Sequence, residues 1–137
     1  MTARQYLEQY KEAERIVQSI KAEYIEQMEQ IDSIRSALGG DGLPRSGEVS
    51  KKVEAQAVRL AEKAEELLQA EADALAIRQE VFRTVQRVPG SPGDVLRERY
   101  INLRKWEDIS EILGYTERNC YNLRDKGLAI VEEIIRR

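Results

Sequence analysis

The chain has 137 residues, of which 34% are charged and only 6% aromatic, and its formal net charge is −3. Histidine is absent and Cys120 is the single cysteine, which excludes an intramolecular disulfide, a Cys/His zinc site and an imidazole base. Good helix formers dominate, so we expect an all-α protein. No apolar run reaches the roughly 20 residues that cross a bilayer. The N-terminus lacks a signal-peptide core, and we expect a cytoplasmic protein.

The first predicted element is a long helix from Ala3 to Leu38. Apolar residues recur along it at alternating steps of three and four, as in the seam of a coiled coil. They are Tyr6, Tyr10, Ala13, Val17, Ile20, Tyr24, Met28, Ile31, Ile34 and Leu38. Two successive steps of four meet at Tyr24, so a shift of register is expected between Tyr24 and Met28.

A Gly/Pro cluster from Gly39 to Glu48 predicts a linker, and a second long helix is expected from Glu48 to Arg87. One row of apolar residues recurs there every seven positions: Val53, Leu60, Leu67, Ala74 and Val81. A neighbouring row is Leu68, Leu75 and Phe82, and three small residues favour close approach of a facing helix: Ala57, Ala61 and Ala64. The short linker predicts that the two helices are antiparallel neighbours.

Two interpretations of this hairpin remain open. It is either a self-contained pair of helices that buries one apolar row, or a rod for oligomerisation or partner binding. Because one facing helix covers only one of the two rows well, we expect self-association as a homodimer. A second Gly/Pro cluster, Val88 to Asp94, ends the hairpin and divides the chain into predicted domains 1–88 and 89–137.

Three helices are predicted after this cluster, of which the first two are short. Ser91, Pro92 and Asp94 have the pattern of a capped helix start, with Ser91 as the cap. A break at Asn102 to Lys105 precedes a second helix, which Gly114 ends. Its inner face is predicted to carry Trp106, Ile109, Ile112 and Leu113.

Thr116 is the predicted cap of the third helix. The buried side of this helix is expected to carry Cys120, Leu123, Leu128, Val131, Ile134 and Ile135. A helix, a glycine-containing turn and a capped helix form the helix-turn-helix pattern. In that motif the first turn of the second helix presents side chains to base edges in the major groove.

The sequence contains no phosphate-binding glycine loop, no CxxC and no HExxH. Its adjacent carboxylates diverge on a helix, and Cys120 at a helical position is interpreted as a small buried apolar residue. We therefore expect no enzymatic activity, no metal site and no cofactor.

The residues from Leu96 to Leu128 resemble region 4 of the sigma-70 family of bacterial RNA polymerase factors. The matching motifs are Arg99-Tyr100, Trp106-Glu107-Asp108-Ile109, Leu113-Gly114-Tyr115-Thr116 and Lys126-Gly127-Leu128. Gly127 stands where the family has alanine, which is expected to weaken the third helix. An acidic hairpin ahead of such a domain is similar to phage and prophage late-transcription regulators of the ArpU and RinA type.

Four residues are predicted to read bases: Glu117, Arg118, Tyr121 and Asn122. They lie opposite the Cys120–Leu123 side of the helix, and the family resemblance selects the same positions. Contacts to DNA phosphates are expected from Arg104, Lys105, Thr116, Arg124 and Lys126, with Arg118 as a further candidate. After Val88 there are nine basic and nine acidic side chains, so binding is expected to be weak and salt-sensitive.

The sequence thus predicts a DNA-binding transcriptional regulator whose partners are double-stranded DNA and a second copy, with bacterial RNA polymerase as a further candidate. Missing sigma regions argue against a complete sigma factor. Two alternatives stay open: a small terminase-like component of phage DNA packaging, and a helical adaptor that binds RNA polymerase without reading DNA.

Overall fold

The computed structural model describes the backbone of residues 1–39 and 47–137 and the side chains of residues 1–37 and 51–137. Within these ranges the regular structure is entirely helical. The elements are α1 (Ala3–Gly39), α2 (Gly47–Gln86), α3 (Gly90–Leu96), a π-helical turn (Arg97–Ile101), α4 (Trp106–Leu113) and α5 (Glu117–Arg136). The predicted all-α fold, a long antiparallel helical hairpin followed by a helical domain, is confirmed.

Two of the sequence predictions fall outside the described residues, wholly or in large part. These are most of the linker from Gly39 to Glu48 and the seam position of the Leu38 side chain. Among the described helices, none combines the length and apolar character needed to cross a membrane.

The chain divides into two compact units. The hairpin unit is Arg15–Ala72, and the composite unit joins Met1–Glu14 to Asp73–Arg137. The composite unit therefore contains one end of each long helix together with α3, α4 and α5. The predicted functional division at residue 88 stays a prediction.

Helices α1 and α2 face each other in the hairpin unit through a seam that is only partly apolar. Val17 and Ile31 of α1 are buried, and the α2 row that includes Leu60 and Leu67 is half-buried. The predicted register shift at Met28 is wrong, since Met28 is 39% exposed and Gln27 is half-buried. The positions 24, 27 and 31 keep the alternating steps of three and four, so a polar amide occupies the seam.

Polar side chains also occupy the α2 side of this seam. The Lys63 ammonium lies 2.7 Å from the Glu23 carboxylate across the hairpin and 3.0 Å from Glu66 on its own helix. These two glutamates raise the pKa of Lys63 through hydrogen bonds and charge. The side-chain oxygens of Gln27 and Gln56 are buried without a hydrogen-bond partner among the described residues.

The small residues of α2 only partly follow the prediction. Ala64 is half-buried, but Ala57 and Ala61 are exposed. Given about 100° per residue, Ala57 lies at the edge of the Val53–Leu60–Leu67 row and Ala61 lies about 100° from Leu60. The expectation that they line the contact with a facing helix is therefore wrong within the hairpin.

The composite unit has one continuous hydrophobic core drawn from every element except α4. Its buried members are Ala3, Leu7, Val81, Val85, Val88, Leu96, Tyr100, Ile101 and Val131. Two polar contacts fasten α1 to this core. The Ala3 backbone N–H donates to the Glu132 carboxylate at 2.9 Å, and the Tyr6 and Thr84 hydroxyls are hydrogen-bonded at 3.0 Å.

The predicted cap at Ser91 is wrong. Helix α3 begins at Gly90, its N-cap position is Pro89, and no side chain caps it. The Ser91 hydroxyl is hydrogen-bonded instead to the Tyr115 hydroxyl at 3.0 Å. Gly93 lies so close to the residues before α3 that a Cβ at this position would be 2.1 Å from the Val88 carbonyl oxygen. The close turn into α3 thus replaces the capping box that the sequence suggested.

The inner face of α4 is narrower than predicted. Ile109 is fully buried, whereas Ile112 is 52% exposed, which contradicts the prediction for Ile112. Trp106 and Leu113 lie to one side of Ile109 around the helix and Ile112 lies to the other, given about 100° per residue. A short helix packed through Ile109 and Leu113 therefore turns Ile112 to solvent.

Gly127 of α5 allows close contact with α3. A Cβ at this position would lie 2.7 Å from Cδ1 and 2.9 Å from Cγ of Leu96, which is fully buried. An alanine would gain up to about 1 kcal/mol in helix propensity. It would also collide with Leu96, which would have to shift within the core, so glycine here allows the close packing of α3 on α5.

We therefore expect Gly127→Ala to lower the free energy of unfolding by about 1–3 kcal/mol, because overpacking outweighs the propensity gain. Urea unfolding followed by circular dichroism measures it. As a control, Ala129→Gly changes an exposed position of the same helix and should lose about 1 kcal/mol through propensity alone. A Gly127→Ala protein more stable than wild type would contradict the packing argument.

Candidate nucleic-acid interface

The turn between α4 and α5 is fixed by local hydrogen bonds. Gly114 ends α4 in the left-handed region at φ 73°, and its N–H donates to the Ser110 carbonyl at 2.9 Å. The Ser110 hydroxyl donates to the Tyr115 carbonyl. Thr116 caps α5, accepting from the Asn119 N–H at 3.1 Å. The predicted helix stop at Gly114 and the predicted cap at Thr116 are both confirmed.

The start of α5 has one buried side and one exposed side. Cys120 is fully buried and Leu123 half-buried, as expected. Burial, and to a smaller extent the charge of Glu117, raises the pKa of the Cys120 thiol. A buried thiol that keeps its proton at neutral pH is a packing residue, which agrees with its interpretation as a small apolar side chain.

All four residues predicted to read bases are exposed together on the opposite side of α5. Glu117, Arg118 and Asn122 are exposed, and Tyr121 is 36% exposed. The side chains of Glu117, Arg118 and Asn122 make no hydrogen bond or ion pair with other described residues. They are therefore available for contacts outside the chain, which is the condition that the base-reading interpretation requires.

Tyr121 differs from its three neighbours because it belongs to an aromatic–arginine cluster, formed by Arg99, Trp106, Tyr121 and Arg124. The rings of Trp106 and Tyr121 meet edge to face with centroids 5.0 Å apart. The Arg99 and Arg124 guanidinium groups lie 4.9 and 5.4 Å from the Trp106 centroid. Arg124 also lies 5.2 Å from the Tyr121 centroid.

Sequence reasoning missed this cluster, since it assigned Trp106 to the core and Tyr121 to DNA separately. Each arginine gains about 0.5–1 kcal/mol from an aromatic face at an exposed site. The contacts restrict the rotamers of Tyr121 and Arg124 before any ligand binds. The only signal of this cluster in the sequence was the placement of Trp106 at the start of α4 and of Tyr121 in the first turns of α5.

The structure separates the predicted phosphate contacts into three groups. Arg104 is paired with Glu98 at 2.6 Å, and Arg124 with Asp125 at 3.0 Å. Lys105 and Lys126 are exposed and have no ion pair among the described residues. Thr116 is exposed, but its hydroxyl is already used in the helix cap.

The loop Asn102–Lys105 that carries two of these basic residues is held in a defined conformation. The Arg104 N–H donates to the Glu98 carbonyl at 3.0 Å, and the Arg99 guanidinium donates to the Arg104 carbonyl at 2.9 Å. Leu103 has a φ of 53°, in the left-handed region that non-glycine residues rarely adopt. Arg99 therefore connects the loop to the aromatic–arginine cluster.

The resemblance of the C-terminal helices to sigma region 4 depends on short motifs, and comparisons with known proteins add nothing to it. No family model matches the chain, and neither a curated protein nor a solved structure shows significant similarity to it.

Proposed function

We propose that this chain is a sequence-specific DNA-binding transcriptional regulator of phage or prophage type, which places the first turns of α5 in the major groove. One observation carries the proposal: α5 begins at a side-chain cap and presents Glu117, Arg118, Tyr121 and Asn122 on one exposed side. Helix-turn-helix proteins read base edges from this part of the second helix.

The chemistry of the exposed side chains suits base recognition. An arginine pairs bidentately with guanine, an asparagine with adenine, and a glutamate accepts from the cytosine amino group. Arg118, Asn122 and Glu117 supply these three groups on adjacent turns of α5. Tyr121 is held against Trp106 and would offer a ring edge to a thymine methyl or a hydroxyl to a phosphate.

Contacts to the DNA backbone are few in this proposal. Of the cations predicted to contact DNA, Lys105, Lys126 and Arg118 have no acidic partner among the described residues. Arg104 and Arg124 would have to leave Glu98 and Asp125 or share the charge with them. The proposal requires no cofactor, metal or catalytic activity. Its proposed partners besides DNA are RNA polymerase and a second copy of the chain.

We expect Arg118→Ala or Asn122→Ala to cost about 1–3 kcal/mol at the matching base pair and to relax specificity only there. Selection of sites from random duplex DNA, followed by competition binding with single base-pair changes, measures this loss. Lys126→Ala serves as the contrasting variant, because loss of a phosphate contact should weaken binding to all sequences alike.

Retention of the full base preference by both alanine variants would contradict the assignment. Absence of any selected sequence, combined with a ring-shaped assembly that binds a large terminase subunit, would favour the packaging alternative. Capture of RNA polymerase by a protein that is not retained on DNA at low salt would favour the adaptor alternative.

The ion pair between Arg124 and Asp125 yields a second prediction. Asp125→Asn removes a carboxylate from the exposed side of α5 and frees Arg124, while the stacking on Trp106 remains. We expect about two- to fivefold tighter DNA binding at low salt and a steeper dependence of affinity on salt concentration. Fluorescence anisotropy with a labelled duplex at several salt concentrations measures both effects.

Glu133→Gln is the matched control, since it removes an exposed carboxylate near the other end of the same helix. It should change the affinity for DNA less than Asp125→Asn does. Equal effects of the two variants would mean that net charge alone, and not the placement of Arg124, governs binding.

A further inference from the structure

Helix α2 carries a second row of apolar residues that α1 does not cover. This outer row is Val58, Ala61, Leu68, Ala72, Leu75 and Phe82. Leu68 is 68% exposed, Val58 58% and Leu75 55%, while Phe82 is half-buried against the core of the composite unit. With Glu65 and Gln79, the row advances by alternating steps of three and four along a continuous helix, which is the spacing of a coiled-coil seam.

We propose that the outer row binds the outer row of a second copy of this chain, with the two α2 helices antiparallel. This inference deepens the homodimer that forms part of the proposed function. It adds the surface, the orientation and the register. The charges that flank the row identify a second copy as the occupant.

A twofold axis passing between positions 73 and 74 pairs opposite charges on both flanks of the seam. It places Glu62 of one copy beside Arg83 of the other, and Glu71 beside Arg78. Arg78 is half-buried, and its guanidinium also lies 5.9 Å from the Tyr10 ring centroid of its own chain. At the centre, Ala72 of each copy lies opposite Leu75 of the other, so a small residue faces a large one. The layers on either side set Leu68 opposite Gln79 and Phe82 opposite Glu65, so this seam, like the seam between α1 and α2, is partly polar. Each pair occurs twice by symmetry, as isologous contacts do. Flanking pairs of this kind set orientation and partner choice in coiled coils.

Other alignments place like charges together. A parallel pair in register would set Arg78 beside Arg83 and would match no opposite charges on the flanks. A slide of the antiparallel pair by seven residues in one direction brings the two Glu71 side chains of the dimer together. A slide in the other direction brings the two Arg78 side chains together. The charge pattern therefore selects a single orientation and a single register by penalising the alternatives.

The first test is sedimentation equilibrium of the full chain. Wild type should be a dimer, and Leu75→Glu should be a monomer with unchanged helix content by circular dichroism. Ile25→Glu is the control, because Ile25 is an exposed apolar residue of α1 outside the outer row, and this variant should remain a dimer. A monomeric wild type, or a dimer that survives Leu75→Glu, would overturn the proposal.

Charge exchange tests the register. Glu62→Arg and Arg83→Glu alone should each weaken the dimer about tenfold, and the double exchange should restore it. Chains with Ala72→Cys mixed with chains carrying Leu75→Cys should form a disulfide-linked pair, whereas Ala72→Cys alone should not. Failure of the double exchange to restore the dimer, or cross-linking by Ala72→Cys alone, would overturn the antiparallel register.

The same variants separate this proposal from the proposed function. Monomeric Leu75→Glu should still bind a single DNA half-site and should lose only the cooperative occupation of two. DNA binding by a protein that is monomeric at all concentrations would overturn the dimer and leave the regulator intact. A dimer that passes the exchange test without any sequence preference on DNA would support the dimer and overturn the regulator.

Discussion

Leu96 of α3 packs directly on the backbone of α5 at Gly127, and this contact fixes the position of the proposed recognition helix in the composite unit. Four residues further along α5, Val131 is fully buried in the core that Leu7, Val81 and Val85 also form. The exposed first turns of α5 are thus held by a second half of the helix that packs on the core through Gly127 and Val131. Residues at the start of α1 and at the end of α2 take part in holding α5.

A consequence of this shared core is that residues 89–137 do not contain all that the C-terminal helices need. Ala3 and Leu7 come from the first turns of α1, and the Ala3 N–H is bonded to Glu132 of α5. A segment as short as residues 89–137 is close to the lower limit of length at which a domain is stable alone. The start of α1 and the end of α2 therefore contribute to the fold of the proposed DNA-binding surface.

Local signals in the sequence were sufficient for the α-helices and for the start of α5, but they did not predict the π-helical turn at Arg97–Ile101. The helix stop at Gly114 and the cap at Thr116 depend on residues within one turn of each other, so their pattern predicts them. The predicted cap at Ser91 was wrong because its hydroxyl is hydrogen-bonded to Tyr115, a partner distant in sequence that no local pattern shows. The aromatic–arginine cluster was missed for the same reason: Arg99, Trp106 and Arg124 come together only when three elements pack.

In the long helices the sequence predicted the correct periodicity but assigned one seam position of α1 to the wrong residue. Apolar spacing favoured Met28, but the register continues through Gln27, because the backbone geometry of α1 decides which residue faces α2. The polar seam also explains why few side chains are fully buried there. Among the described residues of the hairpin unit, only Val17 and Ile31 are buried.

A polar seam of this kind lowers stability but restricts the ways in which two helices pair. Lys63 meets Glu23 across the hairpin in the register that the structure has. A slip of seven residues along α1 would place the Lys63 ammonium opposite Ile16 or Gln30, and its charge would lose the acidic partner on the facing helix. Inside the hairpin, opposite charges thus select one register by the same rule that we propose for the outer row of α2. One long helix would then use its two faces for two different antiparallel partners, α1 of its own chain and α2 of another.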